Sequence, residues 1–172
     1  MKSLAVALFE FDNEYGSFPD STTAPQTKSA TGTPISLGDH SSNQLLRQLI
    51  VHGVKTEKIF WARTSPSAHK PDDIFTSDAT ILAPGECAFA YVTGLSSKDD
   101  PDTPIIVSPL VSGTTRFDSE PFGGMAVVLR LDGSTSLQSI DKSGDVIVNG
   151  MPIFDPRQAF WKGKAPDIKW PE

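Results

Sequence analysis

The chain has one cysteine and three histidines, no apolar run of membrane-spanning length, and no cluster of lysine and arginine. A lone Cys87 excludes an intramolecular disulfide and a cysteine-built zinc cage, and leaves the redox compartment open. His40, His52 and His69 lie far apart, without a His-Glu-x-x-His motif or a pair four residues apart, so surface or capping roles suit them. His52, just before Gly53, fits a helix C-terminus, where a cation is favourable. There is no Gly-x-Ser-x-Gly elbow and no phosphate-cradling glycine loop, and Phe122-Gly123-Gly124 reads more simply as the entrance to a strand. A net charge of −6 with dispersed basic residues argues against nucleic acid or an anionic membrane surface as partner. No stretch of about 18 apolar residues or signal-peptide pattern occurs.

What is present suits one domain. At 172 residues the chain can bury roughly two thirds of its unfolded surface. Its 14 prolines and 13 glycines imply short elements joined by many loops. Leu4, Leu8, Phe11 and Tyr15 mark one helical stripe, ended by Gly16 and Pro19. Residues 4–9 are apolar all round, and Ser3 alone could cap them. That start fits either the tail of a longer helix or a short, fully buried one.

Residues 20–41 read as an exposed Ser/Thr/Pro/Gly connection. Ser41 or Ser42 then caps a second helix with Leu45, Leu46, Leu49 and Ile50 on its apolar face and Gly53 at its end. A turn over Thr56 to Trp61 leads into a loop marked by Pro66, Pro71, Asp72 and Asp73. From Ala83-Pro84-Gly85 onward, strands are expected at Glu86 to Thr93, Pro104 to Val111, Gly124 to Leu131, Ser134 to Ile140 and Asp145 to Asn149. In the first, Cys87, Phe89 and Tyr91 oppose a small-residue face of Ala88, Ala90 and Val92, which would let a helix lie close. In the third, Met125, Val127, Leu129 and Leu131 share a face, and Asp132-Gly133 offers a two-residue hairpin turn. Residues 151–172 form a tail pinned by Trp161 and Trp170. The expected fold is α+β, an N-terminal helix packed on an antiparallel sheet with a short second helix and long loops. Its parts are residues 1–16, 17–83, 84–150 and 151–172.

The run Leu4, Ala7, Leu8, Phe11, Asp12, Asn13, Glu14, Tyr15, Gly16, Phe18 and Pro19 resembles the end of the long N-terminal helix of prepilin-type proteins, the type IV pilins and type II secretion pseudopilins. Asn43 to Ile50 looks like their short second helix, and Gly123-Gly124 through Leu131-Asp132-Gly133-Ser134 like their late hairpin. The resemblance implies a structural subunit of a secretion pseudopilus or pilus-like filament that works by helix-mediated assembly without catalysis. Its partners would be other pilin-like subunits and the secretion or pilus machinery. It would be anchored in the inner membrane through an N-terminal segment absent from this sequence, with this domain in the periplasm or in an extracellular filament. The expected assembly face is Leu4, Ala5, Leu8, Phe9 and Phe11, so Leu8→Asp would impair assembly.

Two further readings stand beside it. Asp99, Asp100 and Asp102 on one loop, with Asp118 and Glu120 on another, are candidate calcium ligands, although their spacing is not that of an EF-hand and a charge run also makes a solvated loop. Trp61, Trp161 and Trp170 are either a recognition patch or anchors for irregular segments. The alternative class is a small soluble α+β binding module or hydrolase, with its first helix complete.

Overall fold

A computed structural model covers residues 1–172 and is α+β. Three helices, α1 (Lys2–Tyr15), α2 (Thr23–Thr31) and α3 (Ser42–His52), precede strands β1 (Ala90–Thr93), β2 (Pro104–Ser108), β3 (Met125–Arg130), β4 (Thr135–Ser139), β5 (Ile147–Val148), β6 (Met151–Pro152) and β7 (Asp167–Lys169). The main sheet runs β4-β3-β2-β1-β7, antiparallel throughout, and β5 and β6 form a separate two-stranded ribbon.

Local chemistry accounts for the helix ends. The Gly16 N–H returns to the Asp12 carbonyl from a left-handed conformation, φ 81°, which closes α1 as glycine best can. Ser41 caps α3 by accepting from the Gln44 N–H. Helix α2 lies inside the expected loop of residues 20–41. Its Ser/Thr-rich sequence conceals it, because it packs through hydroxyls more than through apolar groups. Asp20 accepts from the Thr22 and Thr23 N–H groups ahead of its first turn, where Pro25 loses nothing by lacking an N–H. Thr23 and Thr27 then donate to the buried Gln48 side chain of α3, which donates to the Asp20 carbonyl.

The sheet separates two apolar clusters. On one side Leu4, Leu8 and Phe11 of α1 and Leu45, Leu46 and Leu49 of α3 pack with Phe89, Tyr91, Ile106 and Leu129. The buried Tyr91 hydroxyl donates to the Pro19 carbonyl at 2.8 Å, fixing the exit of α1 to the central strands. On the other side Ala90, Val92, Val107, Ala126 and Val128 meet Phe154, Phe160, Trp161 and Ile168. Ala90 and Val92 of the small-residue face are therefore covered by the C-terminal segment, Ala88 packs on the helical side, and the helices lie on the aromatic face, where larger side chains reach up to them. Trp161 donates to the Ile153 carbonyl and Trp170 to the Thr114 carbonyl, and β7 within the tail pairs with β1.

Three expected strands are shorter than their sequence patterns. Residues 86–89 are buried but join no strand ladder ahead of β1, Pro104 to Val111 is a strand to Ser108 with a single further bridge from Leu110 to Phe117, and Asp145 to Asn149 reduces to β5 with a bridge from Val146 to Ile140. The hairpin at Asp132-Gly133 has a three-residue loop instead of two. Arg130 pairs with Ser134, and Gly133, at φ 79°, donates to the Arg130 carbonyl, a type I turn with a glycine bulge.

Candidate functional site

Helix α1 has an inner and an outer face. Leu4, Ala5, Leu8 and Phe11 are buried in the domain's own core, and Phe9 is half-buried against Phe18. Four of the five residues expected to form an assembly face are therefore already committed within the domain, because the stripe that defines the helix is the stripe that folds it. The outer face consists of Lys2, Ser3, Val6, Glu10, Asn13 and Glu14, with Val6 57% exposed. Hollows flank Val6 on both sides. One is bounded by Phe9, Asn13 and the hairpin residues Asp132 and Gly133. The other is bounded by Leu49, His52, Val54 and Ile59.

The C-terminal half of α1 is held in place by groups that lie far away in the sequence. Asp12 accepts from the Ser97 N–H and hydroxyl on the β1–β2 connection, and the Phe18 N–H donates to the Leu95 carbonyl. The Phe11 and Tyr15 rings pack edge-on against His52, whose Nδ1 lies 3.5 Å from the Tyr15 hydroxyl. Sequence reasoning assigned no task to Asp12, and its position one turn before Gly16 was the available signal.

The calcium candidates do not come together. Asp99 caps the Ser96 N–H, Asp100 the Asp102 N–H, and Asp118 the Glu120 N–H, so each carboxylate closes its own turn. The acidic group that does assemble is Glu57, Asp72 and Glu86, whose carboxylate oxygens lie within 4.8 Å of one another. Glu57 and Glu86 are buried, and Asp72 is exposed. Glu57 accepts from the Leu82 and Asp73 N–H groups, and Glu86 from Ala83. Burial raises both glutamates above the usual carboxylate range, partly offset by these backbone donors. Their evident work is to tie down the irregular chain between residues 57 and 86.

Cys87 is fully buried, 3.8 Å from the Ser42 hydroxyl, and burial pushes its thiol up to about 11, which leaves it protonated and without a base. His40 is exposed, and His69 lies against Gly85. Lys70 sits over the Trp61 ring at 5.9 Å. No helix is long and apolar enough to cross a membrane. No protein-family model, curated protein or solved structure matches the chain.

Proposed function

We propose that this domain is the globular part of a pilin-like structural subunit, of a type II secretion pseudopilus or a related filament, and that it works by assembly without a chemical step. The observation that carries this reading is the outer face of α1. A helix fastened to an antiparallel sheet by its inner stripe and by Asp12 presents a second, shallower stripe around Val6, between two hollows that could receive side chains of a neighbouring subunit. The motif from Leu4 to Pro19 supplies the family resemblance. On this reading the subunit is anchored in the inner membrane and its domain lies in the periplasm or in an extracellular filament, where protein transport or filament growth is its task.

The reading frame upstream of Met1 tests the class. A short basic leader, a Gly-Phe-type cleavage junction and about 20 apolar residues carrying one Glu are expected there. A natural start at Met1 sinks the proposal. Val6→Asp then tests the face in the full-length protein. It should abolish assembly while shifting domain stability by no more than about 0.5 kcal/mol, as an exposed substitution does.

A further inference from the structure

The two edges of the main sheet differ. At one end β7 is three residues long, carries the Asp167–Lys169 ion pair at 3.2 Å, and is followed by Trp170, whose carbonyl accepts from Ser42. Charge, shortness and a covering helix are the usual means of blunting an edge. At the other end β4 has none of them. From Ser134 to Ile140 there is no charged residue and no proline, and Leu137 at the centre is 64% exposed, the most exposed large apolar side chain in the molecule.

The register fixes which backbone groups are free. Arg130 donates to the Ser134 carbonyl at one end of the β3–β4 ladder, and Ile140 to the Gly124 carbonyl at the other. Both bonds belong to the same alternation, in which Ser136 faces Val128 and Gln138 faces Ala126 as hydrogen-bonded pairs. The N–H and C=O groups of Thr135, Leu137 and Ser139 therefore point away from the sheet, and no other strand or loop receives them.

We propose that β4 is a docking edge for β4 of a second copy of this chain, paired antiparallel about a two-fold axis at Leu137. The strand is self-complementary in that arrangement. Leu137 faces its own copy, Thr135 faces Ser139, and the outward groups form about six backbone hydrogen bonds. Residues 134–140 carry no charge, so this self-pairing sets no like charges opposite one another. The sheet then continues across the pair, and the two exposed leucines cover each other. This contact is separate from the outer face of α1 and does not depend on the filament reading.

Sedimentation equilibrium of the wild-type domain up to about 1 mM should show a reversible dimer, with the amides of Thr135, Leu137 and Ser139 gaining hydrogen-exchange protection as concentration rises. Leu137→Lys should remain monomeric. Leu137 is exposed, so a melting temperature that matches wild type shows that the fold is unaffected. A wild-type domain still monomeric at about 1 mM, or a dimer indifferent to Leu137→Lys, overturns the proposal. Protection of these amides only when an unrelated extended peptide is added would also overturn it, by giving the edge to a different partner.

Discussion

Glu57 and Glu86 lie close to one another and to Asp72, and burial is the main reason both hold their protons more tightly than in the unfolded chain. A carboxyl group raised in the folded state contributes stability that is complete below its unfolded value of 4.5 and is lost as pH rises through the folded one. Asp73 and Asp78, held low chiefly by hydrogen bonds from Lys58 and Ser36, act in the opposite sense but only at more acid pH, as their window lies below 3.8. Denaturant unfolding should thus show stability falling as pH rises above 4.5. Glu86→Gln keeps an acceptor for Ala83 and removes a charge, so it should flatten that fall. An equally steep fall in the variant would place its origin elsewhere. Cys87 offers a second test at this scale. Because it is buried and protonated, a thiol reagent at pH 8 should label it only as fast as the core opens, and prompt stoichiometric labelling of the native domain would contradict its packing against Ser42.

The contact of α2 with α3 shows how an element can be held by a single polar side chain. Gln48, itself fully buried, accepts from Thr23 and Thr27 and donates to the Asp20 carbonyl at the edge of the contact. Gln48→Ala removes the amide that links α3 to α2, while the Thr23 and Thr27 hydroxyls keep the Asp20 and Thr23 carbonyls as acceptors; it should cost about 1 kcal/mol, with proteolysis opening residues 23–31 before the rest of the domain unfolds. If the variant melts and resists protease as the wild type does, the docking of α2 on α3 does not depend on Gln48. This contact also explains what the sequence could disclose. Helices α1 and α3 and the β3–β4 hairpin were legible because apolar spacing, Ser41, Gly16, Gly53 and Gly133 are local signals. Helix α2 was not, since its buried face is Thr23, Ala24 and Thr27. Strand β7, only Asp-Ile-Lys long, has too little pattern to read. At the candidate site, the stripe of α1 was visible but its side was misassigned, because periodicity locates an apolar face without saying whether it meets the same chain or another. The cluster of Glu57, Asp72 and Glu86 joins residues well apart in sequence, whereas the aspartates near residue 100 were conspicuous only because they are neighbours in the chain.

Across the whole molecule the sheet is a middle layer, with the helices on one side and the segment after Gly150 on the other. That segment has little regular structure, yet it provides Ile153, Phe154, Phe160, Trp161 and Ile168, five of the thirteen buried residues of the second cluster. Without it, Ala90, Val92, Val107, Ala126 and Val128 would present one continuous apolar face to water. A continuous apolar face of that kind is an aggregation surface. The tail is therefore part of the fold and not an appendage. Trp161→Ala removes a buried ring and its bond to Ile153 and should cost about 3–5 kcal/mol. A chain ended at Gly150 should lose cooperative thermal unfolding and bind a hydrophobic dye, while Val6→Asp, on the far side of the helical layer, should do neither. Retention of a cooperative transition in the shortened chain would show that the helices and the four remaining strands of the main sheet suffice, and that the tail serves the surface instead of the core.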